Sequence, residues 1–197
     1  MPFLEQIVTK INTDLFVNSK PPFSIQGSRV EAIANQALVK DDGTNKIFLP
    51  LVYTSQGEWK EVTFDDTYSL TAYHRVLQNS YQYIPGDTGR DKKKQKCTTL
   101  MLMCVMALRG QIKMSKEDLE AFIVMSFPVG NTNQYLISPL QTCTLGVAET
   151  NMDSLQVFQS EFKGLDVNLN PEKIIFSVKY KIEATYLTGC FDKCACN

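Results

Sequence analysis

Phe3, Leu4, Ile7, Val8, Ile11, Leu15 and Phe16 recur at intervals of three and four, with polar residues between them. This spacing draws one apolar stripe down a helix and predicts a helical segment over residues 3–16. Asn18, Ser19 and the Pro21-Pro22 pair end it, because proline lacks the backbone donor and clashes with the preceding turn. The opposite periodicity appears near the end of the chain. In "EKIIFSVKYKIEATYL", Ile174, Phe176, Val178, Tyr180, Ile182, Ala184 and Tyr186 alternate with mostly polar neighbours. This predicts a long strand with one buried and one wet face, as an antiparallel sheet produces. Asn170-Pro171 reads as the turn before it, and "LQVFQSEFKGLDVNL" as its hairpin mate.

Between these ends, "KDDGTNKIFLPLVYTSQGEWKEVTF" reads as extended structure. Gln56-Gly57 lies between two β-prone runs where a hairpin turn belongs, and Asp42-Gly43 is a second turn signal. Pro50 inside the first run predicts an edge strand or a bulge. The aromatic-rich "YSLTAYHRVLQNSYQYI" favours strand and has a candidate antiparallel partner in "KCTTLMLMCVMAL", whose leucines and methionines would also suit a helix. "SKEDLEAFIVMSFP" is helical: Ser115 stands at the N-cap, Asp118 completes a capping-box-like start, and Pro128 closes the segment. "VGNTNQYLISPLQTCTLGVAETNMD" reads as loops with short strands. Together these elements predict an α+β fold, an antiparallel sheet with long hairpins and two or three packed helices. The expected organisation is a single domain over 1–197, with a basic hairpin loop at 86–96 and a cysteine-containing tail at 189–197.

Composition narrows the function classes. The chain is 44% apolar and 21% charged with a net charge of −1, an ordinary globular balance without the basic excess of a dedicated non-specific nucleic-acid binder. The first residues, "MPFLEQIVTKINTDLF", lack the basic region, apolar block and cleavage site of a secretory signal. The longest apolar run, "TTLMLMCVMAL", is about half of what a bilayer requires. A soluble protein made inside the cell, not bound to a membrane and with reduced thiols, is the expectation.

Four groups of residues raise the question of chemistry. "GDTGRDKKKQK" (86–96) carries five basic and two acidic side chains. It fails the phosphate-loop pattern, because Asp91 stands where the second glycine is needed, and it fails the dinucleotide pattern as well. Arg90, Lys92, Lys93, Lys94 and Lys96 are therefore expected at a solvated hairpin tip, where lysines discourage edge pairing, or at an interaction loop for a protein or nucleic-acid partner. His74 is the single histidine, has no nucleophile motif around it, and reads as a hydrogen-bonded strand residue rather than a base. Cys190, Cys194 and Cys196, with Asp192, give C-x-x-x-C-x-C, a weak zinc signal beside the two pairs that structural zinc normally uses. Cys97, Cys104 and Cys143 read as small core residues, and Asp41-Asp42 and Asp65-Asp66 as turn or strand-end aspartates. Trp59 and the tyrosines are expected in cross-strand pairs. No catalytic residue, cofactor site or metal site is expected.

The succession of "FLEQIVTKINTDLF", the hairpin of extended runs, the long-looped hairpin "YHRVLQNSYQYI…KCTTLMLMCVMAL", the capped helix "SKEDLEAFIVMSFP" and "FQSEFKGLDVNLNPEKIIFSVKYKIEATYL" resembles small α+β proteins at the head-to-tail junction of tailed bacteriophages. Those are the tail-terminator and neck-ring proteins, including those of crAss-like phages infecting Bacteroidetes. The resemblance is architectural, spans most of the chain and transfers no functional residue. It implies a structural virion protein without catalytic activity, made in the host cytoplasm. Such a protein would form a homo-oligomeric ring, contact neighbouring neck and tail proteins, and let DNA pass its lumen without sequence-specific contact. The alternatives are a small nucleic-acid-binding module using the 86–96 loop, or a zinc or thiol protein using the C-terminal cysteines.

Overall fold

The structure, a computed structural model, describes residues 2–21, 28–41, 43–53, 57–63, 67–84, 94–131, 135, 140–151, 153–165 and 171–187. The N-terminal stripe forms helix α1 (Pro2–Thr13), which continues into one wider π turn over Asp14–Asn18. The π turn is closed by the Ser19 amide donating to the Asp14 carbonyl at 3.0 Å, and it keeps Leu15 and Phe16 both buried.

Among the described residues, eight strands make one sheet. They are β1 (Ser28–Asp41), β2 (Lys46–Tyr53), β3 (Trp59–Glu61), β4 (Leu70–Ile84), β5 (Lys94–Leu108), β6 (Gly130–Asn131), β7 (Leu140–Asn151) and β8 (Lys173–Leu187), in the order β3-β2-β1-β4-β5-β8-β7-β6. Every neighbouring pair is antiparallel except β1 with β4, which is parallel, so the sheet is mixed rather than purely antiparallel. The β2–β3 and β4–β5 hairpins follow the sequence expectation, the latter paired from Leu70↔Ala107 to Ile84↔Lys94. Pro50 lies on β2 opposite Gln36, and its carbonyl accepts from the Val62 amide at 2.9 Å. A strand residue's N–H and C=O point the same way, so the missing donor faces the rim where β3 ends.

The front face is covered by α1 and by α3 (Lys116–Ser126), which follows the single turn α2 (Arg109–Ile112). Ser115 caps α3 as its sequence predicts, accepting from the Asp118 amide at 3.0 Å. Ile7, Ile11, Leu119 and Ile123 pack there on Met101, Met103, Phe176 and Val178. The back face is covered at one end by α4 (Ser154–Glu161), whose Val157 and Phe158 pack with Leu49, Val52, Tyr73, Cys104, Met106 and Ile175.

Three expectations are corrected by this second layer. "LQVFQSEFKGLDVNL" does not supply the mate of β8; its first part is α4, started by Asp153 accepting from the Leu155 and Gln156 amides at 3.0 and 3.1 Å, and β8 lies between β5 and β7. The cap and one apolar helical face outweigh a strand reading there. Residues 140–151 form a 12-residue strand rather than short ones. The wet face of β8 is wet only in its second half, because Ile175 and Ser177 are buried at the end that α4 covers. Burial on both faces also explains why β5 reads as a continuous apolar run: Met103, Cys104, Val105 and Met106 are all buried. At the far end the back face is polar, with Lys96 and Lys181 at 3.3 and 3.2 Å from Glu183, and Thr142 and Thr185 hydroxyls 2.6 Å apart.

Candidate functional site

The residues singled out in the sequence do not converge. Arg90, Lys92 and Lys93 lie outside the described residues, as do Cys190, Asp192, Cys194, Cys196, Asp42, Asp65 and Asp66. Lys94 and Lys96 belong to the first turnless stretch of β5, opposite Ile84 and Gln82 of β4. Lys96 is held at 3.3 Å by Glu183. Asp41 accepts from the Gly43 amide at 3.0 Å and faces Lys46 at 3.4 Å, the turn role its position suggested. Tyr53 and Trp59 form the cross-strand pair expected of them, edge to face with centroids 5.1 Å apart. Among the described residues, no group of three or more His, Cys, Asp or Glu side chains is placed to hold a metal ion.

His74 is a fully buried strand residue on the front face, where it ties three elements together. Its Nε2 lies 2.8 Å from Asn12 Oδ1 on α1, and its Nδ1 lies 2.8 Å from the Tyr180 hydroxyl on β8. The Asn12 oxygen can only accept, so Nε2 carries the proton and Tyr180 donates to Nδ1. Burial lowers the His74 pKa from 6.5 to about 3. The unfolded chain therefore takes up a proton below about pH 6.5 that the folded chain refuses until about pH 3. His74 contributes its full stability above pH 6.5 and loses it on acidification, by about 1.4 kcal/mol per pH unit. The stability advantage of the native chain over His74→Gln should shrink by about 2 kcal/mol between pH 6.5 and 5 in urea titrations. A pH-independent difference would remove His74 as the source.

On the back face a second buried polar group pins α4 to the sheet. The Tyr73 hydroxyl donates to Glu161 Oε2 at 3.0 Å, and Arg75 Nη2 donates to Oε1 at 2.6 Å. Arg75 Nη1 also reaches Gln36 Oε1 at 3.3 Å, while Gln36 Nε2 donates to the Ser160 carbonyl at 3.0 Å. Burial pushes the Glu161 carboxyl above its ordinary value, and Arg75 and Tyr73 pull it partly back. The thiols of Cys97, Cys104 and Cys143 are free and buried. Burial raises Cys143 to about 11 and, with the charge of Glu161, lifts Cys104 further, so neither is a thiolate at neutral pH. No sequence pattern announced this network, because Arg75 and Glu161 are 86 residues apart.

A shallow cavity of about 560 Å³ runs along the outer side of α1, lined by Glu5, Lys10 and Asp14 among others. Its hydroxyls are used within the helix, Thr9 donating to the Glu5 carbonyl at 2.8 Å and Thr13 to the Thr9 carbonyl at 3.0 Å.

The surface feature that stands apart is a strand edge. β1 pairs with β4 from Ser28↔Leu70 to Ile33↔His74, then turns to pair with β2 from Ala34 onward. Among the described residues no strand pairs with that side of β4 beyond His74. Residues 77–83 are exposed, and Val76–Ile84, "VLQNSYQYI", carries no Lys, Arg, Asp or Glu. That run was visible in the sequence as a β-prone stretch without charge. No protein-family model matches the chain, and comparison with curated proteins yields no relative.

Proposed function

We propose that this protein is a structural subunit that assembles into a ring at the head-to-tail junction of a tailed bacteriophage, joining the portal or connector of the capsid to the tail around the DNA channel. The observation that carries its self-assembly is the edge of β4 beyond His74, which is uncharged and has no neighbouring strand among the described residues. Proteins that stay monomeric blunt such edges with lysine, proline or a covering segment, since unpaired backbone donors and acceptors are a template for another strand. A structural role is also supported by how the reactive groups are used. His74 and Glu161 are spent on holding α1 and α4 to the sheet, and the thiols of Cys97, Cys104 and Cys143 are buried. The phage setting extends the architectural resemblance of the sequence.

Mass photometry of the purified chain, with negative-stain imaging of the large species, tests this reading. Closed rings are the expected result. A protein that remains monomeric at micromolar concentration, alone and with portal or tail proteins, overturns it.

A further inference from the structure

We draw no further inference here: the strongest candidate, the side-chain cluster between α3 and the start of α4 in which Lys116 Nζ lies 3.0 Å from Ser154 Oγ, carries nothing, because the Ser154 hydroxyl already donates to the Ile175 carbonyl at 2.7 Å as a tie between helix and sheet, and nothing in the structure shows a ligand that would meet it.

Discussion

Replacing Glu161 by alanine is expected to lower the unfolding free energy by about 3 kcal/mol, read as a shift of the urea midpoint at constant m-value. The carboxylate is 1% exposed and is the acceptor for both Tyr73 and Arg75. Alanine leaves a buried hydroxyl without its acceptor and a guanidinium whose Nε has no hydrogen-bond partner among the described residues. The magnitude sits at the low end of the range for a broken buried pair because Arg75 retains 18% exposure, and water can reach part of its charge. Glu161→Gln keeps one acceptor oxygen and should lose less than alanine does. A loss under about 1 kcal/mol for alanine would mean that the attraction to Arg75 is cancelled by the desolvation of the carboxylate.

Gly164→Ala should destabilise the chain by about 2 kcal/mol or more, through two independent penalties. Gly164 has φ +83°, a left-handed conformation that a β-carbon disfavours. A β-carbon at this position would also lie 2.0 Å from the Lys46 carbonyl oxygen and 3.0 Å from its carbon, so backbone must move. That backbone matters because the Lys163 carbonyl accepts from the Phe48 amide at 2.8 Å, which docks the end of α4 onto β2. Gly43→Ala is the control: Gly43 shares φ +84° but has nothing within 4 Å, so it isolates the conformational part. Equal losses for the two variants would show that the close approach to Lys46 costs nothing.

Sequence periodicity was informative where one face of an element sets its burial. Ile7, Ile11 and Leu15 could be read as a helical stripe, and Ile174 to Tyr186 as a strand, because each needs only its own spacing. Ser115 was legible because a cap is local chemistry, and the β2–β3 pairing was legible from the β-prone runs on either side of Gly57, Gln56 itself lying outside the described residues. The back layer was illegible for the opposite reason. β1, "SRVEAIANQALVKD", carries no strand signal of its own: its alanines, glutamate and glutamine favour helix, and it is a strand because β4 and β2 hold its two halves. α4 reads as a strand because Val157, Phe158 and Phe162 suit either element until the Asp153 cap is weighed. Glu161 looked like one more surface carboxylate, and only the fold brings Tyr73 and Arg75 to it. The β4 edge was half legible, as an uncharged run whose openness depends on where β1 departs.

The strand order also sets a timetable. β8, which leaves the ribosome after the other described strands, is inserted between β5 and β7, to which it pairs along nearly its whole length. Until it emerges, β5 presents one side of its "LMLMCVMAL" backbone with no neighbour, and β7 has no route into the sheet. Completion of the sheet therefore waits for β8 and depends on contacts far apart in sequence, the class that forms slowly and exposes apolar edges meanwhile. A ribosome-stalled chain ending before Lys173 should accordingly bind holdase chaperones, and release should follow synthesis of the final strand.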